Sequence, residues 1–97
     1  MRTRSDLDIM AKILHAANEK SGAGRTKIMY RAFLSYTQLK KYLQALTERG
    51  LLSYDADTQT FKTTRKGLRF LDTYNQIYDA IKILPPPPQP QQKQFQI

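Results

Sequence analysis

Between Thr26 and Gly50 two helical patterns follow one another with only two or three residues between them, and that spacing constrains the chain more than any other feature. Thr26 is placed to cap a short helix whose inward face is Ile28, Met29, Ala32 and Phe33. Ser35 and Gln38 form a capping-box signature, so the next helix is expected to start at Tyr36, and Gly50 stands where a left-handed residue would end it. Leu39, Leu43 and Leu46 share the inward side of that helix. The segments 51–55 and 60–64 are rich in aromatic and β-branched residues, and Ala56 to Gln59 has turn composition, which predicts a hairpin. In that hairpin Leu52, Tyr54 and Phe61 form the apolar face.

Upstream, Ser5 and Asp8 cap a first helix, expected from about Asp6 to Lys20, with Leu7, Met10, Ile13, Leu14 and Ala17 at helical spacing. Ser21-Gly-Ala-Gly-Arg25 breaks it. The order helix, helix, helix, hairpin is that of a winged helix, mainly α with a small β wing, an α+β chain. A fourth helix is expected to start after Thr64 and to continue to Leu84, where the proline run stops it. Leu68 and Phe70 are expected to close the core. Leu71, Tyr74, Tyr78 and Ile81, flanked by Ile77 and Leu84, fall at 3-4-3 spacing and form a stripe that wants a partner. A second copy of the chain is the expected occupant, and folding back on the first helix is the alternative.

These elements divide the chain into a winged-helix domain at 1–67, a dimerisation helix at 68–84 and a Pro/Gln-rich tail at 85–97. All five prolines lie in that tail, which has no means of closing a core and is expected to be disordered or extended.

The net charge of +8 is concentrated: ten basic residues lie between Arg25 and Arg69 against three acidic ones, Glu48, Asp55 and Asp57. Such a patch suits a phosphate backbone. On the outer face of the third helix, Thr37, Lys40, Lys41 and Gln44 are candidate contacts to bases or phosphates, with Ser35 at its start and Glu48 expected to stay outside. Arg25, Lys27 and Arg31 near the second helix, and Lys62, Arg65, Lys66 and Arg69 near the start of the fourth, are candidate phosphate contacts. The last three stand where the helix dipole disfavours positive charge, so a use other than helix stability is expected for them. Tyr36 and Tyr42 read as packing residues.

Catalysis finds little support. With no cysteine there is no thiolate nucleophile, disulfide or cysteine zinc site; His15 is the single histidine; Asp55 and Asp57 read as turn residues; no glycine-rich phosphate loop occurs. No enzyme, metal or cofactor is expected. No run of eighteen apolar residues occurs, and none follows the charged N-terminus, so a soluble, cytoplasmic protein without a membrane partner is expected.

Thr26-Lys-Ile-Met-Tyr30, Leu34-Ser-Tyr36, Leu39, Tyr42, Leu43, Leu46, Gly50-Leu-Leu52 and Thr64-Arg-Lys-Gly67 together resemble the winged-helix DNA-binding proteins of archaea over residues 6–75. The likeness is greatest to the small basic, chromatin-associated group that dimerises through a C-terminal antiparallel coiled coil. It implies double-stranded DNA as partner, a homodimer, the third helix in the major groove, and a role as transcription regulator or nucleoid-associated factor. Two features depart from that group: Pro85 ends the last helix early, and the wing tip carries Asp55 and Asp57. A winged helix used for protein contacts in the transcription machinery is the alternative. RNA binding is disfavoured because the chain lacks an aromatic sheet face on which bases stack.

Overall fold

The computed structural model describes residues 5–83. Leu84 and the 85–97 tail, expected to complete the interface stripe and to be disordered, lie outside the described residues. Four helices and one hairpin follow in the order α1 (Asp6–Ala17), α2 (Arg25–Ala32), α3 (Tyr36–Glu48), β1 (Leu52–Asp55), β2 (Thr60–Thr63) and α4 (Arg65–Ile83).

Helix α1 starts as its capping residues dictate, with the Asp8 amide donating to Ser5 Oγ at 3.1 Å. It ends at Ala17, three residues sooner than the periodicity predicts. The chain turns there because Ala23 pairs with β2: the Ala23 amide donates to Phe61 O at 2.9 Å and the Phe61 amide to Ala23 O at 2.8 Å. Gly22 makes the approach possible, since it is left-handed (φ +76°) and a Cβ there would lie 2.7 Å from Phe61 O. The segment 21–25 thus supplies a third, single-bridge rung to the sheet. Leu7, expected inside, is exposed, and Ile9 takes a buried place on the inner face.

Helix α2 begins one residue before Thr26 and is capped by Gly24 with no side-chain bond, so Thr26 lies in the first turn. Phe33, expected to face inward, is the left-handed C-cap and is largely exposed; Leu34 turns into the core in its place. Ser35 and Gln38 close a complete capping box, with the Gln38 amide on Ser35 Oγ and the Ser35 amide on Gln38 Oε1. Helix α3 ends at Glu48, and Gly50 takes the left-handed turn at φ +77°. The antiparallel hairpin pairs Leu52 with Thr63 and Tyr54 with Phe61.

Ile13, Leu14, Ile28, Leu39 and Leu46 are the largest fully buried side chains, contributed by the three helices of the domain. Each stabilises the fold by roughly 1.5–3 kcal/mol. Leu71 and not Leu68 closes the core from α4, with Phe70 partly buried beside it. Leu68 lies nearly one turn before Leu71 and is 42% exposed, so the core contact of α4 starts after it. Tyr74, three residues on, also packs against this core, and its hydroxyl donates to Asp8 Oδ1 in the first turn of α1.

The joint between α3, the hairpin and α4, with a tie to α1, is made within residues 63–67. Thr63 Oγ1 donates to Leu14 O at 2.6 Å, and Thr64 Oγ1 donates to Gly50 O at 2.6 Å while accepting the Gly67 amide at 3.0 Å. Thr64 is therefore the N-cap of α4 and a tie to the end of α3. A Cβ on Gly67 would collide with Leu51 O and lie 2.7 Å from Thr63 Cγ2.

Gly67→Ala is expected to destabilise the fold by about 1–3 kcal/mol, because the collision with backbone outweighs the better helix propensity of alanine. Thermal unfolding checks this; a melting temperature equal to or above that of the parent contradicts the close approach. The Asp8–Tyr74 bond sets a pH window. It raises the Tyr74 hydroxyl from its ordinary 10.0 to about 12, with desolvation adding to the effect, and holds Asp8 below its ordinary 3.8. A raised pKa contributes stability that is present below pH 10 and lost as pH climbs to about 12; a lowered one contributes stability lost on acidification. Tyr74→Phe is expected to melt lower than the parent at neutral pH, with the difference shrinking at both extremes.

Candidate nucleic-acid interface

Helix α3 presents Thr37, Lys40, Lys41 and Gln44 to solvent because Leu39, Leu43 and Leu46 occupy the core side at the same periodicity. The Ser35 capping box satisfies its first amides internally, so the Ser35 hydroxyl, a candidate contact from sequence, is engaged in holding the helix start. Acidic residues are absent from α3 until Glu48, where the carboxylate accepts from Gln44 Nε2 at 3.1 Å. The first three turns are thus positive. Tyr36, expected to pack, is exposed, and Lys40 Nζ sits 5.5 Å from its ring centroid. Tyr42 packs as expected against the core, and its hydroxyl donates to Asp6 Oδ1 at 2.6 Å.

Between α3 and the hairpin runs a groove lined by Arg25, Lys40, Gln44 and Leu43 together with Tyr54 and Phe61. Arg25, the first residue of α2, lays its guanidinium over both rings, 5.3 Å from the Tyr54 centroid and 5.2 Å from that of Phe61. The rings themselves are 4.7 Å apart. This double cation–π contact limits where the arginine can go and aims it across the groove toward α3. Three of the sequence candidates, Arg25, Lys40 and Gln44, are brought together here, with Thr37 and Lys41 on the same outer face of α3.

The other candidates go elsewhere. Lys27 Nζ is 2.6 Å and Arg31 Nη1 3.8 Å from the two oxygens of Glu19, whose carboxyl is held low first by the Lys27 bond. Such surface pairs add little stability but cancel charge locally. Lys62 alternates with Phe61 and so stands with Ser53 on the face of the hairpin away from the groove. Lys66 donates to Arg49 O at 2.9 Å, placing its charge on the carbonyl end of α3. That contact accounts for one of the three cations whose position the dipole of α4 disfavours. Arg65 and Arg69 are exposed beside it.

Asp55 and Asp57 do turn chemistry, with the Asp57 amide donating to Asp55 Oδ1 at 2.9 Å. His15 is exposed and lines a second groove, between α1 and α4, with Lys12 and Tyr78. Of the stripe on α4, Leu71 and Tyr74 are taken up within the chain, while Ile77, Tyr78 and Ile81 are each more than half exposed. The Tyr74 and Tyr78 rings stack at 6.3 Å. None of the described helices is long and apolar enough to cross a membrane.

Sequence reasoning missed Glu19, which lies outside the basic stretch and reaches Lys27 only through the α1–α2 turn. It also missed the Tyr54–Phe61 shelf under Arg25 and the exposure of Tyr30, Phe33 and Tyr36. The alternation of Tyr54 and Phe61 on one face was the visible signal for the shelf.

The winged helix-turn-helix family model matches residues 3–82. Among solved structures, the chain is similar to Sso10a-2, a DNA-binding protein from Sulfolobus solfataricus, with a TM-score of 0.68 and 24% identity over 79% of this chain and 81% of that one. No curated protein sequence matches the chain.

Proposed function

This chain belongs to the winged helix-turn-helix family, and from that premise we propose that it binds double-stranded DNA through α3, as a homodimer joined along α4. The observation that carries the reading is the outer face of α3, free of acids until Glu48 at its end, with Thr37, Lys40 and Lys41 on its first turns and Arg25 braced beside it on Tyr54 and Phe61. The N-terminal turns of such a helix enter the major groove first. Thr37 reads a base edge or a phosphate, Lys40 and Lys41 neutralise phosphates, and Gln44 joins them when it leaves Glu48. Arg25 then meets the backbone at the groove edge. That Sso10a-2, which shares the fold, is a DNA-binding protein supports the same assignment.

The hairpin tip, closed by Asp55 and Asp57, stays off the phosphates, so contacts beside the wing fall to Arg65 and Arg69. In the dimer Ile77, Tyr78 and Ile81 of one α4 pack antiparallel on the same residues of the other. A two-fold arrangement of this kind sets two α3 helices at a fixed separation and bridges two duplex segments or two half-sites. The protein acts as an architectural factor or a regulator, without a catalytic step.

Fluorescence anisotropy with a mixed-sequence duplex, titrated over salt, tests the DNA reading. Lys40→Ala/Lys41→Ala is expected to weaken binding several-fold and to flatten the salt slope by about 0.9 for each phosphate that is no longer neutralised. Unchanged affinity and slope would remove α3 from the interface. Resistance to random competitor DNA separates a regulator from an architectural factor. For assembly, Tyr78→Asp is expected to convert the dimer to monomer in light scattering, since it places a charge in the seam. A variant with the mass of the parent excludes α4 as that seam.

A further inference from the structure

A groove of about 710 Å³ runs between α1 and α4, and no residue of α3 lines it. That size suits a small organic ligand. Its floor is apolar: Ala11, Ala16 and Leu71 are buried there, and the two alanines leave room that larger side chains on α1 would fill. The two helices run antiparallel here, because Thr63, just before α4, meets Leu14, whereas Tyr74, midway along α4, meets Asp8. The groove therefore has two different ends. At one, the Tyr74 and Tyr78 rings lie 13° from parallel with centroids 6.3 Å apart. At the other stand His15 and Arg31, with Lys12 between the two ends. From Asp8 to His15 helix α1 rises roughly 10 Å.

The polar groups of the groove are divided in the same way. Among the described residues the side chains of Lys12 and His15 make no ion pair or hydrogen bond. Arg31 Nη1 stands 3.8 Å from Glu19, beyond hydrogen-bond distance, while Lys27 at 2.6 Å is the close partner of that carboxylate. The guanidinium thus keeps donors for another anion. The one acid lining the groove, Asp8, lies at the ring end, where it accepts the Tyr74 hydroxyl. An apolar floor, paired rings at one end and cations at the other match a ligand with a flat face and an anionic group set apart from it. A mononucleotide has this chemistry, with a base that stacks and a phosphate whose oxygens accept from several donors at once.

We propose that the α1–α4 groove is a binding site for a mononucleotide, its base against the Tyr74–Tyr78 pair and its phosphate on Lys12, His15 and Arg31. The site is separate from α3 and rests in no part on the duplex-binding reading; only Tyr78 is shared, with the seam proposed for the dimer. Because its residues come from α1, α2 and α4, an occupied groove ties the three helices together and stabilises the folded chain in proportion to ligand concentration.

Titration calorimetry on the full chain tests this, with adenosine monophosphate, adenosine and inorganic phosphate as separate probes. The nucleotide is expected to raise the melting temperature and to bind about tenfold more tightly than either fragment. Lys12→Gln, at an exposed position of α1, is expected to fold like the parent and to lose about tenfold in nucleotide affinity, with duplex affinity unchanged. Tyr78→Leu, which keeps an apolar side chain in the seam, is expected to lose about as much, and Tyr78→Phe, which restores the ring, to bind like the parent. No heat at about 1 mM nucleotide overturns the site, and duplex binding in the same preparation leaves the duplex reading standing. Phosphate bound as tightly as the nucleotide also overturns it, because the rings then take no part. An equal loss for nucleotide and duplex in Lys12→Gln does the same, since the groove then serves DNA. Binding by an Ile81→Asp monomer but not by the parent shows a second copy covering the groove, which overturns the site as well. Nucleotide binding without duplex binding supports the site and removes the duplex reading alone.

Discussion

The Thr64 hydroxyl is the point on which the arrangement of this domain turns. It donates to Gly50 O, where α3 has just ended, and accepts the Gly67 amide, where α4 is starting. One side chain thus satisfies a carbonyl of the turn that follows α3 and an amide in the first turn of α4, of the kind that every helix start leaves open. Its neighbours complete the joint: Thr63 supplies a donor to Leu14 O near the end of α1, Lys66 supplies one to Arg49 O, and Gly67 lets α4 lie directly on Leu51. The angle at which α4 leaves the hairpin follows from these contacts. That angle is what carries Leu71 into the core and the Tyr74 hydroxyl to Asp8.

The charge is apportioned by the same framework. Glu19 draws off Lys27 and Arg31, and the carbonyl end of α3 draws off Lys66, so three of the basic residues serve the protein itself. What remains on the outside of α3 is a short positive face, with Arg25 braced on Tyr54 and Phe61 at its flank. A face of this kind needs rigid support more than it needs many charges. The Ser35 capping box and the leucine side of α3 provide it, holding the helix start while its outer residues stay open to solvent.

Helix α4 changes its surroundings along its length. Its first turns close the domain, and its later turns carry Ile77, Tyr78 and Ile81 away from it, where each is more than half exposed. A stripe at 3-4-3 spacing does not reveal where packing within the chain stops, because the buried and the exposed parts of the stripe have the same period. The divide lies between Tyr74, tied to Asp8, and Ile77. Only the approach of α1 from residues far away in the chain sets it there.

Local signals were therefore read well and long-range ones poorly. The capping residues Ser5 and Ser35, the left-handed Gly50, the leucine face of α3, the hairpin and the start of α4 at Arg65 all follow from interactions within a few residues, and the sequence by itself determined them. With them came the order of elements of a winged helix and the outward side of α3. The early end of α1 and the pairing of Ala23 with Phe61 were decided by the tertiary structure, as were the exposure of Phe33 and the neutralisation of Lys27 by Glu19. In the first two, a backbone pairing between residues distant in the chain outweighed helical periodicity. In the last two, packing chose Leu34 over Phe33 for the core and brought an acid outside the basic stretch within 2.6 Å of Lys27. Periodicity and charge counts register neighbours in sequence, whereas these outcomes depend on neighbours in space.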